Sequence, residues 1–454
     1  MSSGEPSPPG SRLVCGGCDA APDTHDPYPF RCPNAGRGDV DHVLVRVLDM
    51  ARVHFPGGVA GAREPFLHYR DLLHSYHRAM AGGMSDAEFV DLVERLDNEV
   101  VAVDGRGFIG TPFARDDVVS DRLGFSSAGG VWIKDETGNV AGSHKGRHLM
   151  GLLLHLEVSD RLGLVGEGGR PELAIASCGN AALAAAVVAR AGGRRLRVFV
   201  PVDADPAVVR RLRDLGADVV ACPRRDDVHG DPTYSRLREA LAAGALPFTC
   251  QGNENGLVIE GGETLGYEMV SDLAEAGIAM DHLVVQVGGG ALASACIQAF
   301  AEAVSLGALE GSPRIHTAQT SSAHPLERAY HRVATLLPEA PGPADIDRAL
   351  RTAATHRSAY MWPWETEPRS IATGILDDET YDWRAVVGGM LATGGSPVVV
   401  SEDRLAAAHR LGQEAGFPVD PTGSSGLAGL LDLLAAGIVG PDDRAAVLFT
   451  GVQR

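Results

Sequence analysis

Lys145 is the residue around which chemistry can be organised in this chain. It stands in Ser143-His144-Lys145-Gly146-Arg147, after an apolar stretch (Val131-Trp132-Ile133) and a glycine-containing turn, and before a Leu-rich run with helical spacing. A lysine in the first turn of a helix meets unpaired backbone N–H groups and the positive end of the dipole. That setting favours anions, disfavours an ammonium, and places the amine to act as a nucleophile. The plain alternative is a solvated lysine on a surface helix. Three further stretches carry polar groups at turns. Ser177-Cys178-Gly179-Asn180 leads into an Ala-rich run, either as a simple helix cap or as a cradle for a carboxylate with an amide at its edge. Gly288-Gly289-Gly290-Ala291-Leu292 follows the apolar His282-Leu-Val-Val-Gln-Val287, and glycines there let backbone N–H groups close on a tetrahedral anion. The same run also serves as an ordinary tight turn. In Asp420-Pro-Thr-Gly-Ser-Ser-Gly, the hydroxyls of Thr422 and Ser424 either cap the next helix or meet a ring nitrogen.

These stretches need a scaffold that brings turns together from distant parts of the chain. From Glu172 onward the sequence alternates short apolar runs with Ala-, Val- or Leu-rich helical segments: 172–176, 181–191, 196–200, 207–215, 218–221, and later 397–400, 402–416 and 445–451. Such alternation predicts parallel sheets flanked by helices, with sites at strand ends. Between Glu64 and Val101 the spacing is helical, with Ser85 as an N-cap, and no nucleophile–base pair appears. Residues 321–395 read as an elaborated loop region around Trp362-Pro-Trp-Glu that shapes access.

Composition excludes several classes. The 454 residues are 44% hydrophobic and 22% charged with 56 Gly, which fits an α/β chain with many turns. A net charge of −19 argues against a broad nucleic-acid or anionic-membrane surface. No apolar run has the length of a membrane span, and Met1–Arg12 reads as a disordered tail without a signal-peptide core. The expected location is cytoplasmic. Cys178, Cys222, Cys250 and Cys296 lie in or beside apolar segments and read as reduced thiols. Cys15, Cys18 and Cys32 make three-quarters of a zinc ribbon; Ala35 stands where a fourth cysteine belongs, leaving His25 or His42, or a metal-free cap.

Together the four turns resemble the fold-type II family of pyridoxal phosphate enzymes, and within it the threonine synthases, over roughly residues 100–454. The resemblance implies that Lys145 carries the cofactor aldehyde as an imine and that His144 lies near the phosphate. It implies that Ser177, Cys178, Gly179 and Asn180 meet the substrate carboxylate and the cofactor's ring oxygen. Gly288, Gly289, Gly290, Ala291 and Leu292 become the phosphate cup, and Thr422, with Ser424 as fallback, the pyridine-nitrogen partner. Arg147 is a substrate-side expectation, and Arg147 or Lys134 are the loose choices for the second phosphate a threonine synthase needs. His144 before the lysine is more like the tryptophan synthase β subunit. A neutral hydroxyl at the ring nitrogen implies elimination or replacement at Cβ or Cγ of an amino acid over transamination. The implied substrate is O-phosphohomoserine or a related activated amino acid; a serine/threonine dehydratase activity is the alternative. A non-catalytic cofactor binder and a zinc-ribbon interaction protein are the readings outside catalysis. The expected architecture is two α/β domains in a homodimer: a Cys-rich head at 13–50, a large cofactor-binding domain from 51–145 and 255–454, and a small domain from 146–254.

Overall fold

The computed structural model describes residues 10–58, 61, 63–166, 168–224 and 231–454. The expected tail falls partly outside this set; its last residues, Ser11 and Arg12, instead begin a strand. β1 (Ser11–Cys15) pairs antiparallel with β2 (Leu44–Leu48), and Ser11 Oγ bonds His74 Nδ1 at 2.8 Å. Pairing along the whole of β2 holds a segment that composition alone leaves unstructured.

The larger sheet has six strands: β3 (Phe113–Asp116), β4 (Gly130–Asp135), β9 (His282–Gln286), β10 (Arg314–Thr320), β11 (Pro397–Val400) and β12 (Arg444–Phe449), in the order β11-β10-β9-β12-β4-β3. All neighbours are parallel except the edge pair β3–β4. Its central strands are apolar on both faces because helices cover both. Val131, Ile133, Val284 and Val447 enter one core, while Trp132, Leu283, Val285, Ala446 and Leu448 enter the other. The smaller sheet, wholly parallel, runs β7-β6-β5-β8 and comprises β5 (Leu173–Ala176), β6 (Leu196–Pro201), β7 (Asp218–Cys222) and β8 (Leu246–Pro247).

The helix Lys145–Arg161 joins the two layers. It packs against both Asn180–Ala191 of the small layer and Val258–Ala276 of the large one, so it belongs to both. Its crossing with the latter is set by glycines: a Cβ on Gly261 would lie 2.1 Å from the Arg147 carbonyl oxygen, and one on Gly151 2.8 Å from the Gly261 Cα. Only residues without a side chain allow backbones that close.

The region 321–395 is more regular than its sequence suggests. It contains the helices Pro325–Ala334, Pro343–Ala354 and Trp383–Thr393. Their buried positions, such as Ile346, Ala349, Leu350 and Ala353, recur every three to four residues and pack into the core of the large sheet. Among the described residues no helix is long and apolar enough to cross a membrane.

Candidate active site

A cleft of about 510 Å³ opens where the strand ends of both sheets meet. Lys145 lines it from the first turn of its helix and is half-buried. The turn before that helix is strained: Ala141 holds a left-handed φ of +54°. Two bonds fix it there, its N–H donating to Asp104 Oδ2 at 2.9 Å and its carbonyl accepting from Arg454 at 2.5 Å. The turn leading to the lysine is thus held by Arg454 as well as by Asp104.

His144 is buried beside it. Its Nδ1 lies 3.2 Å from the Thr450 carbonyl, an acceptor only, so Nδ1 carries the proton and Nε2 presents a lone pair. Burial, reinforced by the charge of Lys145, pushes the His144 pKa well down, so the ring is neutral. Nε2 has no partner among the described residues, and neither has Oε1 of Gln286, which also lines the cleft. Gln286 Nε2 is anchored on the Gly423 carbonyl at 2.9 Å and Thr450 Oγ1 at 2.7 Å.

Ser177, Cys178, Gly179 and Asn180 form the opposing wall. Neither Ser177 nor Asn180 caps the helix that follows; Gly179 occupies the cap position, its own N–H donating to Ser177 Oγ at 3.4 Å, and no side chain caps the first-turn N–H groups at this wall of the cleft. The Asn180 amide is held by Asp420 at 3.4 Å and by Arg454. Gly288, Gly289, Gly290, Ala291 and Leu292 line the same cleft, with Gly290 at φ +100° opening the helix Ala291–Ser305. A Cβ on Gly288 would meet the Asp377 carboxylate at 2.3 Å, and the Gly289 N–H donates to that carboxylate. Burial raises the Asp377 pKa to about 6 against the pull of Lys145.

Thr422 faces the cleft and its Oγ1 accepts from the Gly374 N–H at 3.0 Å. Ser424 does not line it: its hydroxyl turns back to the Asp420 carbonyl at 3.1 Å and is fully buried. Arg147 is likewise removed from the substrate side. It is fully buried, clamps Glu136 at 2.9 and 3.0 Å and Glu268 at 2.6 and 3.0 Å, and reaches Thr264 and Thr111. Lys134 completes this neutral cluster through Glu268 at 2.5 Å. Burial alone would lift the Glu268 pKa, but Arg147 and Lys134 hold it below its usual range. Both cations are committed to the scaffold. Cys15, Cys18 and Cys32 gather elsewhere, with His42 and not with His25.

Sequence reasoning missed Gln286, Asp377, Tyr381 and Thr450. Gln286 had a signal: a buried amide directly after the apolar Leu283-Val284-Val285 asks for polar company. The unpartnered acceptors on Gln286 and His144, the side-chain-free loop at 288–290, and one amine at a helix start suit a flat heteroaromatic aldehyde with an anionic arm. The residues present therefore fit a pyridoxal phosphate.

Comparison with known proteins agrees. The family model described as pyridoxal-phosphate dependent enzyme matches residues 106–451. Threonine synthase of Methanocaldococcus jannaschii is 23% identical over 345 residues, covering 75% of this chain and 74% of that protein. L-serine dehydratase of Saccharomyces cerevisiae is 26% identical over 241 residues, 51% of this chain and 65% of that protein. The crystal structure of a T.th. threonine deaminase superposes with a TM-score of 0.57 at 21% identity, over 80% of this chain and 98% of that one.

Proposed function

Since the chain belongs to the family of pyridoxal-phosphate dependent enzymes, we propose that it catalyses elimination or replacement at the β or γ carbon of an amino acid whose side chain carries no phosphate. A serine/threonine-type ammonia-lyase is the nearest description. The observation that carries this reading is the charge of the cleft. Among its described lining residues Lys145 is the only lysine or arginine, whereas Asp231, Asp377 and Asp420 are all present. A phosphorylated side chain would bring a second dianion beside the cofactor's own, with no further lysine or arginine among the described lining residues to meet it.

In this reading the Lys145 amine would hold the cofactor through its aldehyde carbon, and the same amine, when free, would take the proton from the substrate's Cα. The cofactor, when bound, supplies a conjugated ring that spreads the negative charge left at Cα. The 178–180 turn would hold the substrate carboxylate, the glycine loop would hold the cofactor's anionic arm, and Thr422 would offer a neutral hydroxyl to its ring nitrogen. Lys145, now an ammonium, returns its proton to the departing hydroxyl. Water then releases ammonia and a 2-oxo acid.

A second reading keeps a phosphorylated substrate of the threonine synthase type. It is favoured by the similarity to the archaeal enzyme and by Arg31, Arg224 and Arg238, which line an outer vestibule contiguous with the cleft. The two part in one assay. Supplied with pyridoxal phosphate, the purified protein is offered L-serine, L-threonine and O-phosphohomoserine in turn, with 2-oxo acid and inorganic phosphate both measured. The proposal expects 2-oxo acid from a hydroxy amino acid, lost in Lys145→Ala. A larger kcat/KM for phosphate release overturns it in favour of the second reading.

A further inference from the structure

One cluster of nucleophilic side chains lies outside the cleft and has no part in its chemistry. Cys15 ends β1, Cys18 closes the Gly16-Gly17 turn, Cys32 sits in the loop beyond, and His42 precedes β2. One ligand atom from each lies within 4.8 Å of all the others. Cys18 Sγ is 3.6 Å from Cys32 Sγ, and Cys15 Sγ is 3.6 Å from His42 Nδ1. Ligands about 2.3 Å (sulfur) and about 2.0 Å (nitrogen) from one tetrahedral centre stand roughly 3.5–3.8 Å apart, so these pairs already have the spacing of a coordination shell.

The surroundings are built for it. His42 Nε2 lies 3.0 Å from the Arg37 carbonyl, which can only accept, so Nε2 carries the ring proton and Nδ1 turns its lone pair toward the thiols. The Asn34 N–H points at Cys32 Sγ at 3.3 Å and its amide at Cys18 Sγ at 3.6 Å, donors that suit thiolates. The turn is closely enclosed: a Cβ on Gly17 would lie 2.2 Å from the Asp41 carbonyl oxygen, and one on Gly16 2.3 Å from the Arg384 guanidinium. Three thiolates, one neutral imidazole and a divalent ion sum to one negative charge, and Arg384 stands beside it.

We propose that Cys15, Cys18, Cys32 and His42 bind a single zinc ion in a closed, structural tetrahedral site. Soft sulfur donors exclude calcium and magnesium, and four protein ligands leave no position for a reactant. Loading releases one proton from each thiol to solvent and involves no change of oxidation state. The site's consequence lies in the loop between Cys32 and His42. Asp39 accepts from the Ser358 N–H at 2.9 Å and from its hydroxyl at 2.7 Å, and Asp41 pairs with Arg357 at 3.4 Å. Arg357 also holds Glu379, and both loop and partners line the outer vestibule. The ion therefore pins the head to the wall through which the cleft is reached.

The test is metal content of the full-length protein purified under reducing, metal-replete conditions, and it does not depend on activity. One zinc per chain is expected, lost in Cys18→Ser and Cys32→Ser and kept in His42→Cys. Because a serine variant can fail to fold, cobalt exchange into the wild-type protein provides a second readout. Tetrahedral d–d bands with thiolate-to-cobalt charge transfer are expected, and hydrogen exchange at 36–43 and 354–361 should rise when a chelator strips the ion. Substoichiometric metal, full zinc in both serine variants, iron in place of zinc, or a Cys18–Cys32 disulfide in the resting protein would each overturn the assignment.

Discussion

Replacing Asp377 by Asn isolates one charge in the anion cup. The Asp377 carboxylate accepts the Gly289 N–H, so an anion bound by the same loop sits about 4 Å from it or displaces it. Two unit charges at that separation repel by about 4 kcal/mol at an effective dielectric near 20. Asp377 is half-buried, reached in part by solvent, and Lys145 attracts both anions, so a net penalty of roughly 1.4 kcal/mol, a tenfold loss of affinity, is the reasonable expectation. With its pKa raised to about 6, the carboxyl is ionised at pH 8 and mostly neutral at pH 5. Asp377→Asn keeps the acceptor and removes the charge. It should bind pyridoxal phosphate about tenfold tighter than wild type at pH 8, and the advantage should close as the pH falls through 6. The phosphate's own titration is common to both proteins and cancels in the ratio. Spectroscopic titration at several pH values gives the comparison, with phosphate-free pyridoxal, which should show no such difference, as control. Equal affinities at pH 8, or an advantage that persists with pyridoxal, would refute the shared cup.

Other perturbations test the scaffold. Arg147→Ala leaves Glu136 and Glu268 buried with too little positive charge and should cost about 3–5 kcal/mol, read by chemical denaturation. Gly261→Ala must push the two helix backbones apart and should cost about 1–3 kcal/mol, with a lower melting temperature and weaker cofactor binding. His148 is buried with its pKa pushed down to about 3 by burial and the Lys145 charge, while its unfolded value stays near 6.5. The unfolded chain therefore takes up the proton first, and stability present above pH 6.5 is lost as pH falls toward 3, by about 1.4 kcal/mol per pH unit for this residue. His148→Gln should flatten the acid limb of a melting-temperature profile.

The sequence makes the strand-turn-helix units legible, and with them Lys145, the Ser177–Asn180 turn and the glycine loop, because each lies where an apolar strand ends. It is a poorer guide to direction. Arg147 follows Lys145 by two residues, about 200° around a helix, so the two cannot face the same side, and Arg147 points into the ion cluster instead of the cleft. Ser424 differs from Thr422 only in how the Asp420-Pro421 turn folds back on its hydroxyl, which depends on bonds between positions and not on residue type. Asp377 and Tyr381 come from an irregular segment whose place beside residues 288–290 is fixed only by tertiary packing. In the Cys-rich head the spacing left the fourth ligand open between two histidines, and the return of the chain into β2 brings His42 to the cysteines.

The contact between Gly151 and Gly261 has a further implication for how this chain can vary. The atoms that would obstruct a side chain there belong to the main chain, so trimming neighbouring residues cannot make room, and no second substitution rescues the first. The spacing of the two rods is consequently frozen through any divergence that preserves the crossing, and new specificities have to arise from the loops above it.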